Sequence, residues 1–250
     1  METVFNSPLE LAVACVVLAC AQVVYVLLGF GSGLIAVGLL ALLMPEVRDV
    51  VVMLLLVNLP AEIYVVVSSW KRIEWRGVTL IFVGIAAGIP FGAWLLQAGE
   101  PTFLLGLLGA VLVIAGLVFL VAPRPRARSL PRWLSPPTGL LSGTLTGLFG
   151  TGGPPLVFYY QLCGVDKDVF RGNLMAIFLL MAFVRVPSYI VFDLFSWPRV
   201  ISAGAVLPAV LLGAWIGNNI HLRLGEDTFR RIVSVALLVI GIVLLARQRG

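Results

Sequence analysis

Two short stretches hold the residue types that could do chemistry: Gly29-Phe30-Gly31-Ser32-Gly33 and Leu148-Phe149-Gly150-Thr151-Gly152-Gly153-Pro154-Pro155. Each sets glycines around one hydroxyl, inside apolar chain. Irregular backbone within hydrocarbon is tolerated only where protein buries it or it lines a cavity. Ser32 and Thr151 are good N-cap types for a half-helix that follows. Pro154 and Pro155 suit the first turn of such a helix. A helix starting there presents backbone N–H groups and the positive end of its dipole, which is an anion site. Gly31, Ser32, Gly33, Gly150, Thr151, Gly152 and Gly153 are therefore candidate substrate-binding residues. The plainer alternative is that these glycines only permit a turn or close packing.

Other polar residues lie within apolar runs. Arg185 sits inside Leu174–Val191, where a charge costs a few kcal/mol, on the order of 3, on insertion scales. Its planar fork suits a sulfonate, sulfate or carboxylate. The alternatives are a structural pair with a carboxylate such as Glu62, or snorkelling to the interface. Glu62 is either that counter-ion or a proton-coupling group whose pKa desolvation raises. Asn58 and Asn173 are amides suited to bonding a ligand or bracing a break. Tyr64, Tyr159, Tyr160 and Gln161 are weaker pathway candidates. His221, beside Arg223 near a helix end, reads as an interfacial anchor rather than a proton relay. Asp166, Lys167 and Asp168 read as a solvated loop. Cys15, Cys20 and Cys163 lack CxxC spacing and read as small apolar residues, with no metal or cofactor implied.

The elements that position these residues follow from composition. The chain has 250 residues, 60% hydrophobic and 12% charged, with mean hydropathy +1.08. That much oil indicates an all-α polytopic membrane protein. The net charge of +5 is carried mostly by arginines in short loops, which fits membrane orientation and not nucleic acid. The start of the chain has no basic n-region and no A-x-A site, which argues against a cleaved signal peptide.

Leu9 to Met44 is almost unbroken apolar chain. As one straight helix it would reach about 54 Å, against roughly 30 Å of hydrocarbon, so it must break at the glycines. Val50–Trp70, Val78–Leu96 and Thr102–Ala122 are the next spans. Gly84, Gly88 and Gly92 mark a close helix contact. The basic segment 123–135, with Arg124, Arg126, Arg128 and Arg132, links two halves and faces the cytoplasm, as does the Lys71–Arg76 loop. Trp70, Trp75, Trp133 and Trp197 sit at membrane edges.

The second half repeats the first. Phe149-Gly150-Thr151-Gly152 matches Phe30-Gly31-Ser32-Gly33, and Gly213-Ala214-Trp215 matches Gly92-Ala93-Trp94. Asn58 and Asn173, Glu74-Trp75 and Ser196-Trp197, and Glu100-Pro101-Thr102-Phe103 and Glu226-Asp227-Thr228-Phe229 also correspond. The expectation is a first repeat over 1–122 and a second over 136–250, each a Gly-broken helix plus three spans, the usual build of secondary transporters. Pro137–Gly147 and Pro155–Cys163 are too short to cross and suit a re-entrant pair. That makes the repeats inverted; a broken segment that crosses would make them parallel.

GFGSG and LFGTGGPP near the start of two related halves, each followed by an Asn-bearing helix, resemble the TauE/SafE family of sulfite exporters and sulfonate permeases. The arginine-rich linker and the Gly-Ala-Trp pair fit as well, so the resemblance covers nearly the whole chain. The first half departs from it in lacking the proline pair. The resemblance implies a cytoplasmic-membrane transporter of sulfur-containing anions, often an exporter, and not an enzyme. No GxxxxGK[ST] fingerprint is present, so secondary transport with protons as coupling ion is expected over ATP drive. The partners expected are a small anion and the lipid bilayer, with no nucleic acid; a homo-oligomer is compatible with the sequence. The rival readings are an intramembrane enzyme acting on a lipid phosphate, and a cation permease.

Overall fold

The structure is a computed structural model, described over residues 3–28, 32–44, 46–69, 73–121, 131–165, 167–219 and 226–247. Among these residues it is helical throughout: α1 Pro8–Leu28, α2 Ser32–Leu43, α3 Val47–Ser69, α4 Trp75–Ala98, α5 Pro101–Val121, α6 Ser135–Phe149, α7 Gly153–Cys163, α8 Lys167–Val191, α9 Trp197–Asn219 and α10 Glu226–Arg247. A single 3-10 turn, Arg132–Leu134, leads into α6. Five of the helices, α1, α4, α5, α8 and α9, are long and apolar enough to cross a membrane. Pro60, Pro90, Pro187 and Pro208 lie inside α3, α4, α8 and α9, which membrane helices tolerate where neighbours satisfy the freed carbonyls.

The chain forms two compact units, and neither coincides with a sequence half. One comprises residues 1–57, 99–121 and 195–250; the other comprises 58–98 and 122–194. In the first unit α1 lies beside α9. Gly213 meets Ala19 and Gly217 meets Val23 and Val26, so these two helices run in the same direction. α5 lies beside α10 in the opposite sense: Gly109 meets Leu245 and Gly241, while Gly116 meets Ser234 and Leu238. α2 packs its Gly38 against Leu112 of α5 and Ile240 of α10.

One end of this unit is held by polar contacts. Arg199 donates from Nε to Asp49 Oδ1 at 2.7 Å, joining the starts of α9 and α3. Arg48 bonds Glu46 at 3.0 Å and the Gly99 carbonyl at 2.7 Å. Arg247, in the last turn of α10, donates to the Leu42 carbonyl at 2.7 Å, satisfying a helix-end acceptor of α2. The Val4 N–H reaches Ser202 Oγ near the start of α9 at 2.9 Å. The starts of α1, α3, α5 and α9 and the ends of α2 and α10 therefore share one end of the unit.

The second unit is built on the contact of α4 with α6. Gly84, Gly88 and Gly92 of α4 meet residues 136–148 of α6 in rising order, and Gly139, Gly143 and Gly147 of α6 return the contact onto Ile81, Ile85, Ile89 and Ala93. Two parallel helices thus touch backbone to backbone, with dispersion and close approach replacing a hydrophobic drive that lipid does not supply. A side chain on Gly88 would meet the Leu140 carbonyl and come within 2.8 Å of the Thr144 nitrogen. Backbone cannot swing aside as a side chain can. Gly88→Val is expected to cost at least the ~3 kcal/mol upper range of ordinary overpacking, read as a lowered unfolding midpoint in detergent.

Candidate functional site

The site grows from the end of α6. Gly150 takes the left-handed conformation, φ 69°, and its N–H bonds the Thr146 carbonyl at 2.8 Å. Only glycine adopts that conformation without strain. The chain turns through Thr151 and Gly152 and re-enters a helix at Gly153. The turn lies flat on α6: Ser142 Oγ donates to the Gly152 carbonyl, and Thr146 Oγ1 donates to the Ser142 carbonyl at 2.8 Å. At the open end of the hairpin, Ser135 Oγ and Tyr159 OH are 2.8 Å apart. With 15 and 11 residues, the arms are about 22 and 16 Å long, short of the roughly 30 Å hydrocarbon core.

Thr151 is not the N-cap of α7; Gly152 is, and no side chain caps the helix. The reason is chemical. A capping side chain accepts from the N–H of the second or third helical residue. Those residues are Pro154 and Pro155, which have no N–H. The prolines that start the helix therefore remove the cap's targets. The Thr151 hydroxyl, on a residue only 4% exposed, makes no hydrogen bond. Such an unmade bond costs about 1–3 kcal/mol in a buried site. Of the first three residues of α7, only Gly153 offers an N–H to a ligand.

The charge at the turn comes from α8. Met181, Arg185 and Tyr189, spaced four apart, lie along one stripe of that helix. Met181 Sδ receives Thr146 Oγ1 at 3.3 Å. The Arg185 guanidinium lies against Gly150: a Cβ there would sit 2.7 and 2.9 Å from its terminal nitrogens. Arg185 is 6% exposed, and its guanidinium carbon stands 4.9 Å from the centre of the Tyr189 ring. The Tyr189 hydroxyl donates to the Gly147 carbonyl at 2.7 Å. Tyr189 thus satisfies an orphan acceptor at the end of α6 and gives the cation a ring face, worth about 2 kcal/mol when desolvated.

The other predicted residues fall elsewhere. Asn173 precedes Arg185 by twelve residues on α8, about 18 Å along the axis. Its Oδ1 accepts the Glu74 N–H at 2.8 Å, holding the start of α4. Asn173 and Arg185 cannot grip one small anion together. Asn58 is half-buried on α3, and Gly33 is half-buried in the first turn of α2. Gly29, Phe30 and Gly31 and the side chains of Ser32 and Glu62 lie outside the described residues, as do His221 and Arg223. Ser142, Thr146, Met181 and Tyr189 were not singled out in the sequence. The signal available was the four-residue step from Arg185 to Tyr189 and the Ser-x-x-x-Thr pair before the glycines.

A buried guanidinium, a hydroxyl without a partner and an uncapped helix start lie together at this turn. The family model described as sulfite exporter TauE/SafE matches residues 14–244. The chain belongs to the TauE/SafE family. Among its relatives is a protein of Cupriavidus necator named "Probable sulfite/organosulfonate exporter TauE", 28% identical over 228 residues that cover 87% of this chain and 86% of that one. Another is "Probable inner membrane transporter protein TsaS" of Comamonas testosteroni, 24% identical over 198 residues, 77% of this chain and 81% of that one. No solved structure matches. The family and these relatives are transporters, and this chain is a multi-pass membrane transporter, not an enzyme. The lipid-phosphate enzyme reading is thereby set aside.

Proposed function

We propose that the chain moves small sulfur-containing anions, sulfite or organosulfonates such as sulfoacetate or taurine, outward across the cytoplasmic membrane by secondary transport. The observation that carries this reading is the Arg185 guanidinium buried against the Gly150 turn. A fork of donors in a low-dielectric site binds a planar or tetrahedral oxyanion far better than it does in water. Thr151 and the Gly153 N–H add donors, and the α7 dipole adds a positive field. The printed name of the Cupriavidus necator relative supports the substrate class.

We further propose that the two halves are inverted repeats. α5 and α10 hold the same place in each half and run antiparallel side by side; parallel repeats would give them one direction. The first helix of each half rests on the fourth of the other, α1 on α9 and α6 on α4. Within the second unit, with α6–α7 as a re-entrant pair, the starts of α4, α6 and α8 share one end, where the sequence carries Arg76, Arg132, Lys167 and Arg171. By the positive-inside rule that side is the cytoplasm. In the first unit, Arg48, Arg199 and Arg247 are bonded to carboxylates or carbonyls.

Purified protein in proteoliposomes tests the reading. Sulfoacetate loaded inside is expected to drive uptake of labelled sulfoacetate, with sulfite and taurine competing and alkali cations without effect. An imposed proton gradient is expected to speed net flux, and Glu62→Gln to make flux indifferent to it. Flux that follows a cation gradient and ignores anions would replace this reading with a cation permease.

A further inference from the structure

Buried side-chain oxygens without a hydrogen-bond partner cluster on one stretch of the second unit. Among the described residues they are Thr151 Oγ1, Tyr160 OH and Gln161 Oε1, on the turn and along α7. Thr151 belongs to the site above. Tyr160 does not: it stands seven residues past Gly153, about 10 Å along the helix.

Tyr160 is 4% exposed and Asn173 is 2% exposed. The Tyr160 hydroxyl lies toward the Asn173 amide yet reaches hydrogen-bonding geometry with no protein atom. The Asn173 Oδ1 is occupied by the Glu74 N–H. That fixes the amide's orientation, since its other end can only donate. The Tyr160 ring packs edge-on with Tyr159, at 5.6 Å, and with Phe170, at 6.0 Å. Tyr159 is itself tied to Ser135. The Tyr160 hydroxyl is thus a buried neutral donor, with the Asn173 amide beside it, and makes no hydrogen bond to protein.

We infer that Tyr160 and Asn173 form a second anion station, separate from the Arg185 turn, where a sulfonate or sulfite headgroup pauses on its way along α7. This rests on the anion reading of the Arg185 turn. The chemistry of the two stations differs in a useful way. Arg185 brings a full charge and holds strongly; the second station has only neutral donors. The exposed Glu74 carboxylate nearby weakens its hold further. A pathway needs sites strong enough to fill and weak enough to empty. In the orientation proposed above, the weak station lies toward the basic, cytoplasmic face and the strong one deeper.

The test separates equilibrium binding from movement, using methanesulfonate as the probe and protein in nanodiscs or proteoliposomes. Tyr160→Phe keeps the ring and removes only the hydroxyl. Asn173→Asp keeps the acceptor for Glu74 and replaces the donor by a negative charge. Both variants are expected to bind methanesulfonate within about twofold of the parent, while counterflow falls about tenfold or more. Counterflow at the parent rate would overturn the station, and so would binding that falls in step with it, which would place both residues in one site with Arg185.

Cys163, one turn beyond Tyr160, gives a readout that needs no change at the station. In Cys15→Ala/Cys20→Ala protein, methanesulfonate at about twice the station's own dissociation constant, above that of the Arg185 turn, is expected to slow alkylation of Cys163 about threefold. Protection should persist in Arg185→Ala protein at the same methanesulfonate concentration. Alkylation indifferent to methanesulfonate in both backgrounds would overturn the station. Failure of the Arg185 reading looks different: Arg185→Ala would then bind methanesulfonate like the parent.

Discussion

Arg185→Ala is expected to lower sulfonate affinity about 100-fold or more, since a charge-assisted hydrogen bond contributes about 1.5–3 kcal/mol and two are lost with the fork. The variant keeps the fold within reach of measurement. Tyr189 still bonds the Gly147 carbonyl, and the end of α6 stays satisfied. Arg185→Lys should recover part of the loss, because a point charge replaces the fork without its geometry. Isothermal titration with sulfoacetate in nanodiscs reads all three proteins. Equal affinities across the series would mean that the buried guanidinium serves packing alone. A drop in stability without a drop in affinity would mean the same.

Gly152→Val is the second large effect, and it acts on the turn itself. A Cβ on Gly152 would strike Thr146 Oγ1, the Ser142 carbonyl at 2.5 Å and Ser142 Oγ at 2.8 Å. These are the groups that fold the turn onto α6. None can yield without giving up a hydrogen bond in a buried site, at about 1–3 kcal/mol each, on top of the overpacking. Counterflow is expected to vanish, and the unfolding midpoint to fall well below that of Arg185→Ala. Thr146→Ala in the same background should recover part of the stability by making room. A Gly152→Val protein as stable and active as the parent would mean that the turn is not held as described.

Much of this was legible in the sequence, for reasons that can be named. Runs of apolar residues had to be helices, because lipid satisfies no backbone group. Glycines followed by Pro154 and Pro155 had to end one helix and start another. Arg185 stood out because a charge in an apolar run needs a reason. The misplaced features came from reading residue types one at a time. Thr151 looked like a cap, but the two prolines that mark the helix start also remove the N–H groups a cap needs. Asn173 read as an amide for a ligand or a break; its carbonyl oxygen holds the start of α4, about 18 Å along α8 from Arg185.

Other features were not readable along the chain. The glycines of α4 signalled a close contact, but nothing local named α6 as the partner. That pairing is set by backbone shape between segments some fifty residues apart in sequence. Tyr189 was hidden for a related reason. A tyrosine in an apolar helix is unremarkable until the carbonyl it satisfies, that of Gly147, is in view.

The most direct test is a density map of the protein with a sulfonate bound. The account predicts the sulfonate oxygens within hydrogen-bonding reach of the Arg185 guanidinium and the Thr151 hydroxyl, at the Gly150–Gly153 turn. A sulfonate seated away from that turn, with Arg185 gripped by a protein carboxylate while the ligand is bound, would contradict it.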